Sequence, residues 1–237
     1  QTTDLVAPLA SHGIELSRST LAEWIGVVGV RLQPLVEALK TKLLTEPILH
    51  ADETPVAQLD PGAGKTKRAY LFAWRSAHTE PIVVFDYCPS RAGKHAQAFL
   101  GEWKGALMVD DYVGYKALFA TGITELACWA HARRVFFDAH KASASPLAEE
   151  ALRRMGEFYA IAATLRGLDD ATRSIERKHR LGAWLAVFKH WLDAAQAQTL
   201  GNSGVRKAIE YTQRRWPALD RVIEDDAYPI DNNPIEN

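Results

Sequence analysis

Two cysteines in 237 residues are too few for a disulfide framework. Cys88 and Cys128 both stand in apolar or aromatic surroundings, and such sparse usage fits a reducing, cytoplasmic setting. No apolar run approaches the roughly 20 residues that a membrane-spanning helix needs, so no membrane partner is expected. The opening Gln1-Thr-Thr-Asp-Leu-Val lacks the basic flank and apolar core of a signal peptide. An excess of charge is also missing. Lys and Arg number 28 against 29 Asp and Glu, for a formal net charge of −1. Binding to nucleic acid therefore has to come from local groups and not from a global field. Internal repeats and low-complexity tracts are absent as well, which excludes a solenoid. The chain begins at Gln1 and stops at Asn237, inside what reads as a helix start, so a piece of a larger protein is expected.

What is present is patterned apolar sequence. Residues 1–46 read as helical. Ser17 and Ser19 are N-cap candidates ahead of Leu21, Trp24, Ile25 and Val28. A second helix is expected with Leu32, Leu35, Val36, Leu39 and Leu43 on one face and Pro34 near its start. The pair has the form of a helix-turn-helix or, more simply, of two amphipathic helices packed on a core. The texture changes at Pro47. Pro47-Ile-Leu-His-Ala-Asp52, Arg68–Trp74 and Pro81–Tyr87 read as three strands in an antiparallel meander, with Asp60-Pro-Gly-Ala-Gly64 as a turn. A helix over 91–103, a strand over Gly105–Val109, a short helix near Tyr115–Phe119, a strand over Thr124–Trp129 and a helix over Ala130–His140 follow. A meander followed by alternating helix and strand predicts a mixed five-stranded sheet flanked by helices, an α/β fold. From about Ser143 the spacing is purely helical. Bases group there as Arg173, Arg177, Lys178 and Arg180, then Arg206 and Lys207, then Arg214 and Arg215. They read equally as solvated helix faces or as a DNA-contacting face.

Two acids close strands in this reading, Asp52 at the end of the first and Asp110 after Val109. Adjacent strands would bring their carboxylates together. Paired carboxylates repel unless a divalent cation neutralises them. Mg²⁺ suits such a site because it prefers hard oxygen ligands and keeps water for chemistry. Two such ions can serve phosphoryl transfer. A strand-end Asp is also a common turn former, and Asp111 competes with Asp110. A third acid lies in Asp231-Asn-Asn-Pro-Ile-Glu236-Asn, where Asn233 and Pro234 read as an N-cap and first helical residue and Glu236 falls in the first turn. The plainer reading of Glu236 is a capping box.

Two other signals carry less. Gly64-Lys65-Thr66 resembles the end of a phosphate-binding loop, but Leu59 stands where a glycine is required. Cys128 and His131 have zinc-like spacing, but no second close pair completes four ligands, so a buried Cys with His131 reaching toward a cleft is the expectation. Arg133 and Arg134 on the same predicted helix suit phosphate contacts, alongside His131.

Four segments in order, His50-Ala-Asp-Glu-Thr-Pro, Asp110-Asp-Tyr-Val-Gly-Tyr, Cys128-Trp-Ala-His-Ala-Arg-Arg and Asp231-Asn-Asn-Pro-Ile-Glu-Asn, together with Leu16-Ser-Arg-Ser-Thr-Leu-Ala-Glu-Trp, closely resemble the bacterial insertion-sequence-66 transposases. The resemblance runs over nearly the whole chain. It implies an RNase H-like catalytic core with an Asp-Asp-Glu triad of Asp52, Asp110 and Glu236, which would serve both as catalytic residues and as ligands of two Mg²⁺, with Mn²⁺ as a substitute. The family commonly has Asp-Gly-Tyr where this chain has Asp110-Asp111-Tyr112, so matching the motif favours Asp110. The implied organisation is an N-terminal helical segment over residues 1–46, the first part of the core over 47–142, an α-helical insertion over 143–229 and the start of the glutamate helix over 230–237. Full-length members also carry an N-terminal DNA- and zinc-binding region and a short tail after the glutamate helix. The implied partners are transposon-end and target DNA and further copies of the chain assembled on DNA, in the bacterial cytoplasm and at the nucleoid. The alternative is a noncatalytic DNA-binding or assembly fragment, supported by the grouped bases.

Overall fold

The computed structural model of the chain describes residues 16–60, 62–77, 81–199 and 201–236. Residues 1–15 of the expected N-terminal helical segment, Pro61 of the expected turn and Asn237 of the last motif lie outside the described residues. The chain divides into two compact units, Gln1–Thr45 and Glu46–Asn237.

Among the described residues, the first unit contains one helix, α1 (Arg18–Leu43). Its N-cap is Ser17, whose hydroxyl accepts the Thr20 N–H at 3.0 Å. The two expected helices are thus a single helix with Pro34 inside it. No capping residue or turn dipeptide separates Val28 from Leu35, and the helix continues through the proline at the cost of one backbone bond. Trp24, Ile25, Val28, Leu32 and Leu35 are exposed.

The second unit is built on a mixed five-stranded sheet. Its strands are β1 (Ile48–Asp60), β2 (Lys65–Ser76), β3 (Val83–Cys88), β4 (Ala106–Val109) and β5 (Thr124–Ala127), in the order β3-β2-β1-β4-β5. The expected antiparallel meander is present: β1 pairs with β2, and β2 with β3. β4 then joins β1 in parallel and β5 joins β4 in parallel, so the crossovers carry helices as parallel pairing requires. The first crossover holds α2 (Lys94–Leu100), which buries Ala96, Phe99 and Leu100. Phe99 stacks on Trp74 of β2 with centroids 4.5 Å apart. The second holds a 3₁₀ turn (Val113–Tyr115) and α3 (Lys116–Phe119). This α/β arrangement is consistent with an RNase H-like fold.

β1 differs from expectation in one respect that matters below. Asp52 does not end it. The strand runs on to Asp60, paired with β2 along its length, whereas pairing with β4 stops at His50 and Met108. Pro55 has no N–H to offer a neighbour on the β4 side, which suits a strand that has become an edge there. A fork therefore opens between β1 and β4. The parallel register, continued past His50–Met108, sets Asp52 opposite Asp110 at its mouth.

After β5 come α4 (Trp129–Ser143), α5 (Pro146–Leu165), α6 (Asp170–Ala197), α7 (Gly204–Leu219), a 3₁₀ turn (Asp220–Ile223) and the short α8 (Asn233–Glu236). Ser145, Asp169 and Ser203 cap α5, α6 and α7. Trp129, at the start of α4, ties these helices to the sheet. It is 1% exposed and meets Phe158, Trp184, Phe188 and Trp216, with centroids 4.7 to 6.2 Å apart. Its indole N–H donates to the Leu219 carbonyl at 3.1 Å. One apolar core thus extends from Ala127 through α4–α7 to Val222. None of the described helices is long and apolar enough to cross a membrane.

Candidate active site

The fork between β1 and β4 is lined with acids, and basic groups sort them. Glu53, next to Asp52, points into the protein with a side chain 1% exposed. It accepts a hydrogen bond from the Tyr115 hydroxyl at 2.5 Å and from Arg91 Nε at 3.0 Å, and Arg91 Nη2 also pairs with it. Burial still pushes the Glu53 carboxyl above its ordinary range, against the pull of those two partners. Asp111, next to Asp110, is likewise matched. Arg214 of α7 donates to it at 2.6 Å, and Arg215 and Lys116 lie within 3.5 Å. Burial would raise its carboxyl, but the Arg214 hydrogen bond and the charges of Arg215, Arg214 and Lys116 hold it below the usual value.

Asp52 and Asp110 have no such partner among the described residues. Asp110 Oδ1 accepts only the Tyr112 N–H, at 2.8 Å, within the turn after β4. Asp52 is raised by burial first. The Glu53 N–H opposes that, the negative charge of Asp110 adds to it, and the His131 and Arg91 charges offset part of it. Asp111 is turned to the arginines of α7, and Asp110, whose charge acts on Asp52, makes no ion pair among the described residues. The turn is held by Arg215, which is 3% exposed, donates to the Asp110 carbonyl at 3.1 Å and pairs with Glu125 of β5.

Glu236 reaches the same place from 126 residues beyond Asp110. Asn232 brings it there. This side chain is fully buried, shares a 2.7 Å hydrogen bond between Oδ1 and His50 Nδ1, and donates from Nδ2 to the Ala51 carbonyl at 3.0 Å. Its own N–H donates to Cys128 Sγ at 3.2 Å, and the Trp129 N–H donates to Ile230 at 3.0 Å. The segment is therefore fixed to β1 and to the start of α4 just before α8. Glu236 Oε1 then lies 3.5 Å from His131 Nδ1, and this contact takes the place of the capping box that the sequence alone allows. The Glu236 carboxyl is raised by burial first. The His131 charge opposes this, Asp52 adds to it, and Arg134 and Asp231 have smaller, opposite effects. Asp52 and Glu236 each respond to His131 and to each other or to Asp110, so the three acids share one electrostatic environment with His131 among them. Arg133 and Arg134 are both exposed; the charge of Arg134 acts on Glu236 and that of Arg133 on Tyr159.

A shallow cleft of about 430 Å³ opens beside the acids, lined by Arg91, Asp110, Asp111, Tyr112, Val113, His131 and Tyr211. The Arg91 guanidinium lies 3.8 Å over the Tyr112 ring, and the Tyr112 hydroxyl donates to the Arg91 carbonyl. Gly93 permits this closeness, because a Cβ there would collide with the Gly114 backbone. A larger hollow of about 690 Å³ lies away from the acids, between α5, α6 and the 226–230 segment. Two of its three arginines are occupied: Arg173 pairs with Asp170 and Asp226, and Arg177 donates to the carbonyls of Val222, Asp226 and Tyr228. Arg206, Arg214 and Arg215 also have partners within the chain, so five of the eight grouped bases are paired internally.

Asp52, Asp110 and Glu236 present carboxylate oxygens, the hard donors that Mg²⁺ or Mn²⁺ takes, but among the described residues the ligand atoms that gather within 4.8 Å are those of Cys128, His131 and Glu236. The burial that raises Asp52 and Glu236 is relieved when a cation binds.

Comparison with known proteins decides the family. The model of the Transposase IS66 family matches residues 5–237. This chain belongs to the IS66 transposase family. Three relatives from Sinorhizobium fredii (strain NBRC 101917 / NGR234) are similar to it along nearly its whole length. Uncharacterized protein y4qI is 32% identical over 94% of this chain and 44% of its own length. Uncharacterized protein y4jD is 31% identical over 96% of this chain and 47% of its own. Uncharacterized protein y4hP is 29% identical over 95% and 45%. The chain thus spans under half the length of these IS66-like relatives.

The sequence reading did not single out Glu53, Arg91, Tyr115, His50, Asn232 or Arg215 as parts of this site. His50 and Glu53 flank Asp52, and Asn232 stands in the Glu236 motif, so their proximity in sequence was a signal. Arg91, Tyr115 and Arg215 had none, since only folding brings them to the fork.

Proposed function

We propose that this chain is the catalytic core of a DNA transposase of the DDE type, acting on phosphodiesters at transposon ends and joining the freed 3′-hydroxyl to target DNA. The observation that carries this reading is the selective neutralisation of acids at the β1–β4 fork: arginines cover Glu53 and Asp111 and leave Asp52, Asp110 and Glu236 to a metal. Asp52 and Asp110 would hold two divalent cations between them, and Glu236 would complete the shell of one. When bound, such ions supply charge neutralisation and an acidified nucleophile for phosphoryl transfer. The protein's own groups do the rest. The Asn232 latch sets the position of Glu236, Arg215 sets the Asp110 turn, and Arg91, stacked on Tyr112, keeps Glu53 paired and out of the metal set. His131 and Arg134 stand close enough to the acids to meet a DNA strand, with Arg133 on the exposed side of α4. Assembly of several copies on DNA belongs to the same reading. The internal use of the grouped arginines weighs against a purely DNA-binding module.

The test is cleavage of transposon-end DNA in Mg²⁺. Asp52→Ala and Glu236→Ala should each lower the rate at least about a hundredfold, roughly 2.7 kcal/mol of barrier. Asp111→Asn should keep most of it. Wild-type rates in the first two variants would overturn the assignment.

A further inference from the structure

The start of α4 carries a second cluster with a different chemistry. One ligand atom each from Cys128, His131 and Glu236 lie within 4.8 Å of one another. The sequence spacing offered only the first two. Glu236 arrives through the Asn232 latch and makes a third. His131 Nδ1 is buried without a hydrogen-bond partner among the described residues, 3.5 Å from the Glu236 carboxylate. Cys128 Sγ is buried at the N-terminus of the 15-residue α4 and accepts N–H groups from His131 and Asn232. Burial pushes this thiol up to about 12 against the pull of those two N–H groups, so a metal there displaces the proton. Thiolate, imidazole and carboxylate form a donor set for Zn²⁺ and not for Mg²⁺. At zinc bond lengths, tetrahedral ligands lie about 3.3–3.5 Å apart, so closing the site requires movement of little more than about an ångström. The four-residue α8 can supply it.

We propose that Cys128, His131 and Glu236 bind a zinc-class divalent cation, and that this cation withdraws Glu236 from the Mg²⁺ centre and so acts as a brake on catalysis. Binding replaces the Cys128 thiol proton with the metal and releases that proton to solvent. His131 binds as neutral imidazole, Glu236 as carboxylate, and water fills the fourth position. The brake rests on the transposase reading of Glu236. The binding does not.

Co²⁺ titration of the 237-residue chain tests the binding directly, because a thiolate ligand gives Co²⁺ a sulfur-to-metal charge-transfer band in the near ultraviolet. One equivalent per chain should develop the band. Cys128→Ser should abolish it, and Cys88→Ser and Asp52→Ala should leave it intact. His131→Ala and Glu236→Gln should weaken Co²⁺ binding at least tenfold. Glu236 is exposed, so its variant folds whatever becomes of Cys128→Ser. A wild-type chain without the band, a band that survives in Cys128→Ser, or unchanged affinity in Glu236→Gln would overturn the site. In Mg²⁺ reactions, the ratio of rates without and with added Zn²⁺ should fall at least tenfold in Cys128→Ser, and an unchanged ratio would overturn the brake. Normal cleavage by Asp52→Ala alongside an intact cobalt band would remove the transposase reading and leave the zinc site standing.

Discussion

Replacing Asn232 by Ala is the sharpest perturbation of the geometry at the fork. It removes two buried side-chain hydrogen bonds, to His50 and to the Ala51 carbonyl, at 2.7 and 3.0 Å. Each is worth about 0.5–1.5 kcal/mol net, and burying the Ala51 carbonyl unpaired adds about 1–3 kcal/mol. The resulting cost of roughly 2–6 kcal/mol does not fall on the whole domain, whose total stability is of order 5–15 kcal/mol. It falls on residues 230–236, whose remaining ties are few backbone bonds such as Trp129 N–H to Ile230. A segment with so few contacts opens locally before the sheet unfolds. Asn232→Ala should therefore lose amide-exchange protection over 230–236 while β1, β2 and β4 keep theirs. Cleavage should fall at least about a hundredfold, since a misplaced ligand by about 1 Å costs that much. Asn232→Asp, nearly the same shape, should fail as well, because it presents an acceptor to the Ala51 carbonyl. Wild-type cleavage by Asn232→Ala, or loss of protection across the whole sheet, would refute the idea that this residue is the latch for Glu236.

Arg215→Ala breaks a pair whose arginine is 3% exposed, leaving Glu125 and Asp111 to the more exposed Lys116 and Arg214. A loss of about 3–5 kcal/mol is expected, and a thermal melt should show Tm lowered by roughly 6–20 °C. Phe188→Ala, at 1% exposure in the Trp129 cluster, should cost about 3–5 kcal/mol. The helices should melt in a single transition, because α4–α7 share one apolar core, and two separated melts of these helices would contradict that. Mg²⁺ at about a hundred times its dissociation constant should stabilise the chain by about 2.7 kcal/mol, and Asp52→Ala should abolish the shift in a calorimetric scan. Burial first, then Asp86, pushes the Cys88 thiol up to about 12. The thiolate fraction is then roughly 10⁻⁴ at pH 8 and rises tenfold per pH unit below that value. Alkylation of Cys88 should be correspondingly slow in the native state and normal in denaturant.

Much of the sheet was legible because its signals are local. Alternation and β-branched residues marked β1–β3, and apolar tetrads ending in turns marked β4 and β5. Where the reading failed, the deciding contact was distant or the local signal was weak. Pro34 suggested a helix start, but no cap accompanied it and α1 runs through. Asp52 looked like a strand end because the apolar run stops there, yet β2 continues to pair with β1 far beyond it. Nothing near Asp110 and Asp111 distinguishes them. The difference lies in Arg214 and Arg215, more than a hundred residues later. The Cys128–His131 pair looked incomplete for the same reason, since its third member belongs to the last motif.

The Asn232–His50 contact spans 182 residues, and its consequence concerns timing. Chains emerge from the ribosome amino-terminus first, and long closures form late. The β1–β2 hairpin and β4 can assemble while α5–α7 are still being made, with Asp52 and Asp110 already on their strands and only the Asp110 turn awaiting Arg215 of α7. The third acid joins them only after the helices have folded and returned the chain to β1. On the proposed reading, a nascent or prematurely terminated product lacks the third acid and does not cut, so the order in which the polypeptide is threaded itself holds half-finished copies inactive.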